Sequence, residues 1–208
     1  MESLSSFRKP TSNKTMGIEW EMFWDHDDPK HYNLSTQKHY KFFFVTTDGS
    51  LRWQGPRRYD MSGRELVSQP LPYAWLDKEL ERINKIIPQV HVNDTCGIHV
   101  HVTRKWATAK KVDNLVAFLK SLTFSEYKAA FGREPNEYCQ HMGSWSENAS
   151  RYFSLNTTRN DTVEFRMFSS GDLGWAQYCL GLVNYMMQQA NTLNKDAFFA
   201  FVDMTHPS

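Results

Sequence analysis

The chain has 208 residues, enough to bury one sizeable core. A net charge of +1, 40% hydrophobic residues and 23% charged residues exclude bulk binding to nucleic acid or to an anionic membrane surface, and they match a soluble globular domain. No long apolar run occurs, and the polar, basic N-terminus is expected to carry no secretory signal. Cys96, Cys139 and Cys179 are odd in number and widely spaced, so reduced thiols in a cytoplasmic setting are expected rather than a disulfide framework.

Met1 to Thr15 reads as a loose arm and residues 16–208 as one domain. Gly17-Ile18-Glu19-Trp20-Glu21-Met22-Phe23 alternates apolar and acidic side chains, the period-two pattern of a half-buried strand. Asp25 to Lys38 predicts an irregular loop. His39 to Thr46 predicts a second strand. The Asp48-Gly49 turn signal predicts a short strand after it, at Leu51 to Trp53. A loop from Gln54 to Ser62 leads to a strand at Arg64 to Ser68, stopped by Pro70 and Pro72.

Pro72 opens a helix to about Ile87, with Leu76, Leu80, Ile83 and Ile87 at helical spacing and Pro88 ending it. Val90 to Val92 leads into Cys96-Gly97-Ile98-His99-Val100-His101-Val102, a strand with one apolar face and one imidazole face. A helix follows from Thr108 to Leu122, then a shorter one from Ser125 to Phe131 closed by Gly132. Arg133 to Ser150 is polar and irregular. Arg151 to Asn156 and Thr162 to Phe168 predict strands around an Asn160-Asp161 turn. Helices from Leu173 to Asn191 and from Asp196 to Val202 complete the chain. Strands joined by turns and interleaved with a few helices predict an α+β fold, a mainly antiparallel sheet with helices packed on its apolar face.

Three of these strands are half ionisable. Glu19 and Glu21, His99 and His101, and Glu164 and Arg166 each oppose an apolar face. Side by side, they put like charges on one surface, and divalent cations relieve that repulsion because hard ions take carboxylate oxygens and tolerate an imidazole. Each piece alone has a plainer reading: a solvated Glu-x-Glu edge, a cross-sheet Glu164–Arg166 pair, or a satisfied sheet histidine. Cys96, His99 and His101 as a zinc site is a further alternative, but zinc wants a fourth ligand and no surplus carboxylates. The preferred reading makes His99 the metal-binding member and His101 a polar neighbour. Arg52, Arg57, Arg58 and Arg64 with Trp53 form a basic stretch, either a solvated loop or a flap over an anionic substrate. Asp48 reads as turn chemistry, Cys96 as a small buried residue, and Leu182, Met186 and Met187 as core.

Several segments resemble one family in the same order. Gly17-Ile-Glu19-Trp-Glu21 resembles a first-strand Gly-x-Glu-x-Glu. Asp48-Gly49-Ser50-Leu51 with Glu65-Leu66-Val67-Ser68 resembles a second-strand region. Cys96-Gly97-Ile98-His99-Val100-His101 resembles a Cys-Gly-x-His-Val-His strand, and Arg151–Asn156 with Thr162–Arg166 a closing pair. Together, from Gly17 to about Met186, the chain resembles the amidoligase branch of the glutamine synthetase-like carboxylate-amine ligases. The resemblance implies a curved sheet whose polar face binds ATP and Mg²⁺ (or Mn²⁺), and amide formation through an acyl phosphate. It implies metal ligands Glu19, Glu21, Glu65, His99 and Glu164; catalytic roles for Arg166, Arg151 and Glu65; and nucleotide contacts from Arg166, Arg151, Arg64 and Asn156. The partners would be a small-molecule or peptide carboxylate and an amine. The chain is short for such ligases, so the adenine and acceptor pockets are expected to be either reduced or completed by a second copy or a partner chain. A zinc-dependent hydrolase using His99 and His101 is the alternative enzyme reading, although the alternating strand–helix rhythm of barrel hydrolases is missing. A non-catalytic nucleotide-binding relic is the other.

Overall fold

Period-two alternation forms most of the strands it predicts. A computed structural model describes residues 13–25, 40–54, 61–87, 91–137, 139–142 and 151–207. The strands are β1 (Met16–Asp25), β2 (Phe43–Thr47), β3 (Met61–Ser68), β4 (Gly97–Thr103), β5 (Leu155–Asn156) and β6 (Thr162–Ser169). They make one six-stranded sheet in the order β2-β3-β1-β4-β6-β5, and every pairing is antiparallel. The helices are α1 (Tyr73–Asn84), α2 (Ala109–Ser121), α3 (Phe124–Phe131), α4 (Leu173–Gln189) and α5 (Lys195–Thr205). The fold is therefore α+β.

Register divides the sheet into two unlike faces. Ile18 faces Val100, Trp20 faces Ile98 and Leu66, and Val102 faces Val163. These side chains are buried in one core with Leu76, Leu80 and Ile83 of α1, Leu115 and Leu119 of α2, and Leu182, Val183, Met186 and Met187 of α4. The helical spacing of those residues gives each helix an apolar stripe to lay on the sheet. The expected core reading of Leu182, Met186 and Met187 holds. On the other face, Glu19 stands opposite His99, Glu21 opposite Glu65, His101 opposite Glu164, and Asn156 opposite Glu164.

The alternation of β6 is broken once. Val100 pairs with Phe165 but Ile98 pairs with Phe168, so Arg166 and Met167 both stand opposite the single His99. This bulge returns Phe168 to the apolar face, where it packs edge-on against Phe131 with ring centroids 5.4 Å apart.

Helix ends follow their capping residues. Thr123 and Glu126 form a capping box at α3, while Asp172 and Asn194 cap α4 and α5 by accepting from Trp175 and Ala197 N–H. These caps start α3 and α5 one residue before the predicted spans, and α5 also runs on to Thr205.

Three predicted strands are corrected, the one at His39 to Thr46 first, because β2 begins only at Phe43. Leu51 to Trp53 is not a strand: β2 itself pairs with β3, and just past its end the Asp48 N–H donates to the Gly63 carbonyl. Leu51 packs with Phe23 and Cys96, and Trp53 meets the Phe23 ring at 5.3 Å, as a small apolar cap at one end of the polar face. Of Arg151 to Asn156 only the last two residues are strand, because Gln140 takes up backbone groups of Tyr152 and Ser154. In the lead-in to β4, His91 makes an isolated bridge to Phe23, and Val90 lies outside the described residues. The arm up to residue 12, the whole of residues 26–39, Arg57, Arg58, Pro88 and residues 143–150 also lie outside them. Asn13 and Thr15 run beside the end of β4, accepting from the Thr103 hydroxyl at 2.9 Å and amide at 3.1 Å. Among the described residues no helix is long and apolar enough to cross a membrane.

Candidate metal centre

Neighbouring strands bring the ionisable residues to one row across the polar face. Glu65 comes from β3, Glu19 and Glu21 from β1, His99 and His101 from β4, Glu164 and Arg166 from β6, and Asn156 from β5. Because side chains alternate, each strand contributes its acidic or imidazole residues to this face while its aliphatic residues enter the core.

His99 sits at the middle of the row and is 4% exposed. Its Nδ1 lies 3.4 Å from Glu19 Oε2 and 3.5 Å from Glu164 Oε1, and its Nε2 lies 3.6 Å from Glu21 Oε1. One ring edge therefore serves Glu19 and Glu164, the other Glu21. Burial alone pulls the imidazole pKa down, but the carboxylates of Glu21 and Glu19 outweigh it and hold it above its ordinary value. His101 is peripheral: its Nε2 is 3.1 Å from Glu19 Oε1 but outside hydrogen-bonding alignment.

The carboxylates are in unlike environments. Burial pushes the Glu19 carboxyl up, yet contact with His101 and His99 brings it far below the usual carboxylate range. Glu164 is fully buried. Desolvation raises it, and His99, Arg166 and Arg159 more than offset that, leaving it lowered. It accepts from Arg166 Nη1 at 2.5 Å and from Asn156 Nδ2 at 2.7 Å, with Arg159 Nε at 3.3 Å. Glu21 accepts the Gly97 N–H at 2.6 Å, but burial keeps its carboxyl raised. Glu65 is pushed up to about 7, by burial first and then by Glu19, Asp48 and Glu21. Asp48 is turn chemistry, as expected: one of its oxygens accepts from Ser50 N–H at 2.7 Å.

Donor atoms of Glu19, His99 and Glu164 lie within 4.8 Å of one another, and so do those of Glu21, Glu65 and His99. Ligands around an octahedral Mg²⁺ stand about 3 Å apart in cis and about 4.2 Å in trans. Small rotamer adjustments therefore bring either triad onto a cation. Oxygens dominate both sets, which fits Mg²⁺ or Mn²⁺ better than zinc. Cys96 belongs to neither: burial pushes its thiol up to about 11, and it packs against Phe23 and Leu51.

Five of the expected metal ligands thus converge: Glu19, Glu21, Glu65, His99 and Glu164. Arg166 joins them through Glu164, and Asn156 acts as the buried donor that holds Glu164. Arg64 does not join. Strand alternation turns it to the opposite face from Glu65, where it lies over the Trp24 ring at 4.7 Å. Arg151 is exposed and folded onto Tyr152, donating to its hydroxyl at 2.8 Å. Sequence reasoning missed Arg159 and the Gly97 amide. Arg159 sits in the loop joining the β5 and β6 strands, a position that could have flagged it. A backbone amide has no sequence signal.

No family model matches the chain, and no curated protein matches it.

Proposed function

We propose that this protein is an ATP- and divalent-metal-dependent carboxylate-amine ligase, built on a glutamine synthetase-like sheet. The single observation that carries this reading is the pair of carboxylate–imidazole triads sharing His99 on the polar face. Its support is chemical: hard oxygen donors, an arginine fixed against a buried glutamate, and an antiparallel sheet that gathers them on one face.

In the reaction, a substrate carboxylate oxygen attacks the γ-phosphorus of ATP and ADP leaves. The amine nitrogen then attacks the acyl carbon, the carbon–oxygen bond to phosphate breaks, and the nitrogen proton passes to solvent. Glu19, His99, Glu164, Glu21 and Glu65 would hold magnesium or manganese, which when bound would neutralise phosphate charge. The chain's own task is orientation and electrostatics. Arg166 presents a planar fork of donors that suits a phosphoryl group. Glu164 fixes that guanidinium at 2.5 Å, and Asn156 fixes Glu164 in turn. Zinc hydrolysis by His99 and His101 has weaker support, because oxygens dominate both donor sets and His101 belongs to neither.

The test is ADP release in a screen of carboxylate–amine pairs with Mg²⁺ or Mn²⁺. Turnover should require both substrates and the metal, and Glu164→Ala should abolish it. If no pair drives ADP release, and Glu164→Ala leaves Mn²⁺ affinity unchanged, the ligase reading is lost.

A further inference from the structure

A second arginine reaches the polar face from outside the sheet. α3 ends at Gly132, whose φ of 67° is left-handed and whose N–H bonds to Lys128. A Cβ there would stand 2.7 Å from Ser169 Oγ and from Trp175 Cζ2, so this turn is restricted to glycine. The turn delivers Arg133 to Gly97, the residue that precedes His99 on the same face of β4. A Cβ on Gly97 would stand 2.9 Å from Arg133 Nη1 and 3.3 Å from His99 Nε2. The missing side chain of Gly97 thus leaves the room in which guanidinium and imidazole approach each other.

Arg133 is poorly used where it stands. Its Nη1 makes one long contact of 3.5 Å to the Phe168 carbonyl, and its Nε is buried without a hydrogen-bond partner. It takes part in none of the ion pairs among the described residues. Arg166 already donates to Glu164 through Nη1, although its Nε, like that of Arg133, is buried without a hydrogen-bond partner. A half-buried guanidinium with unmet donors is costly unless something else accepts from them. Its fork geometry matches a planar pair of oxygens.

We infer that Arg133 anchors an oxyanion, phosphoryl or carboxylate, at the Glu21–His99 end of the row. The inference rests on the metal-dependent reading above, since Glu21 and Glu65 without a cation would repel an anion. Arg133 would then grip the incoming group from the side opposite Arg166, so that two arginines bracket the metal-binding row.

The experiment uses calorimetry on the full chain, first with Mn²⁺ alone, then with inorganic phosphate or with acetate added to the Mn²⁺-loaded protein. Wild type should bind Mn²⁺ and at least one anion. Arg133→Gln should keep Mn²⁺ affinity within about threefold and weaken the anion at least about tenfold, the loss of one charge-assisted bond. Gly97→Ala, whose Cβ displaces Nη1, should show the same anion defect, and Arg133→Lys a partial one. These two variants decide the matter if Arg133→Gln does not fold. A defect confined to phosphate assigns a phosphoryl group, and one confined to acetate a substrate carboxylate. Equal anion affinity in wild type and all three variants, with Mn²⁺ bound, overturns the inference while leaving the metal reading intact. Failure of wild type to bind Mn²⁺ removes the metal reading, and this inference with it.

Discussion

Glu21 of β1 and Glu65 of β3 stand directly opposite each other in the sheet. Like charges at facing positions destabilise an antiparallel pair, by up to about 1 kcal/mol. Burial aggravates this: both carboxyls are raised, desolvation being the first cause in each. An arrangement that is unfavourable for the empty sheet becomes favourable once a cation lies between the two groups. Glu65→Gln should therefore stabilise the metal-free protein by about 0.5–1 kcal/mol in urea unfolding with chelator present. It should also lower the stabilisation gained from saturating Mn²⁺. A destabilising effect in chelator would show that the pair is held together by something other than a metal.

The same glutamate sets a pH dependence. Its carboxyl goes from an ordinary value of 4.5 to about 7 in the folded protein. The folded state therefore binds the proton more tightly than the unfolded chain does. That contribution to stability is fully present below pH 4.5 and is lost as pH rises through about 7. Metal needs the carboxylate, so Mn²⁺-induced stabilisation should grow across the same window. Thermal unfolding from pH 5 to 8, with chelator and with Mn²⁺, should give curves that diverge with pH. In Glu65→Gln the divergence should shrink. Parallel curves in wild type would exclude Glu65 as a ligand.

Much of this row was readable from alternation alone, because a period of two fixes which residues share a face. Glu19 with Glu21, His99 with His101, and Glu164 with Arg166 needed only adjacency of their strands to converge. Adjacency itself was not readable, and the family resemblance stood in for it. Arg64 shows the limit of reasoning from local charge. It neighbours Glu65 in sequence, and for that reason it points the other way, onto Trp24. The bulge at Arg166 and Met167 was also hidden, since nothing in Glu164-Phe165-Arg166-Met167 departs from regular alternation. Gln140, which shortens the predicted strand before Asn156, acts through backbone contacts that carry no residue signature.

That misplacement yields a test. Arg64 is buried on the face away from the carboxylates. Arg64→Met keeps its apolar stem and removes the charge. Mn²⁺ affinity in Arg64→Met should stay within about twofold of wild type, whatever happens to stability. A tenfold loss by calorimetry would place Arg64 in the site after all.

The two histidines should differ sharply. His99 touches Glu19, Glu21 and Glu164, whereas His101 touches Glu19 alone among them. His99→Ala leaves those buried carboxylates without their shared imidazole and should cost about 3–5 kcal/mol in chelator. It should also remove Mn²⁺ binding, since both donor sets include it. His101→Gln should cost about 1 kcal/mol or less and retain binding. Protons should leave on metal binding as well, because His99 is raised above its ordinary value and must be neutral to ligate. Calorimetry in buffers of different ionisation enthalpy reads that release. Equal Mn²⁺ affinity in the two variants would contradict the central position of His99.

Asn156 offers the most direct test of how Glu164 is held. Its Nδ2 donates to Glu164 Oε2 at 2.7 Å, while its Oδ1 accepts from Thr158 N–H at 2.9 Å and Oγ1 at 2.8 Å. Both Asn156 and Glu164 are nearly inaccessible to water. Asn156→Asp keeps the shape and the Thr158 bonds but sets an acceptor against an acceptor, with two buried carboxylates sharing one site. At pH 8 this should destabilise the metal-free protein by about 2–4 kcal/mol. Two facing carboxylates force one carboxyl pKa upward, so the penalty should shrink towards pH 5 as they come to share a proton. Asn156→Ala removes the donor without adding charge, and its cost of about 1–3 kcal/mol should vary little between those pH values. Chemical unfolding of both variants at pH 5 and pH 8 separates the two effects. If Asn156→Asp were as stable as wild type at pH 8, the Glu164 oxygens would have to be satisfied by Arg166 and Arg159 without Asn156.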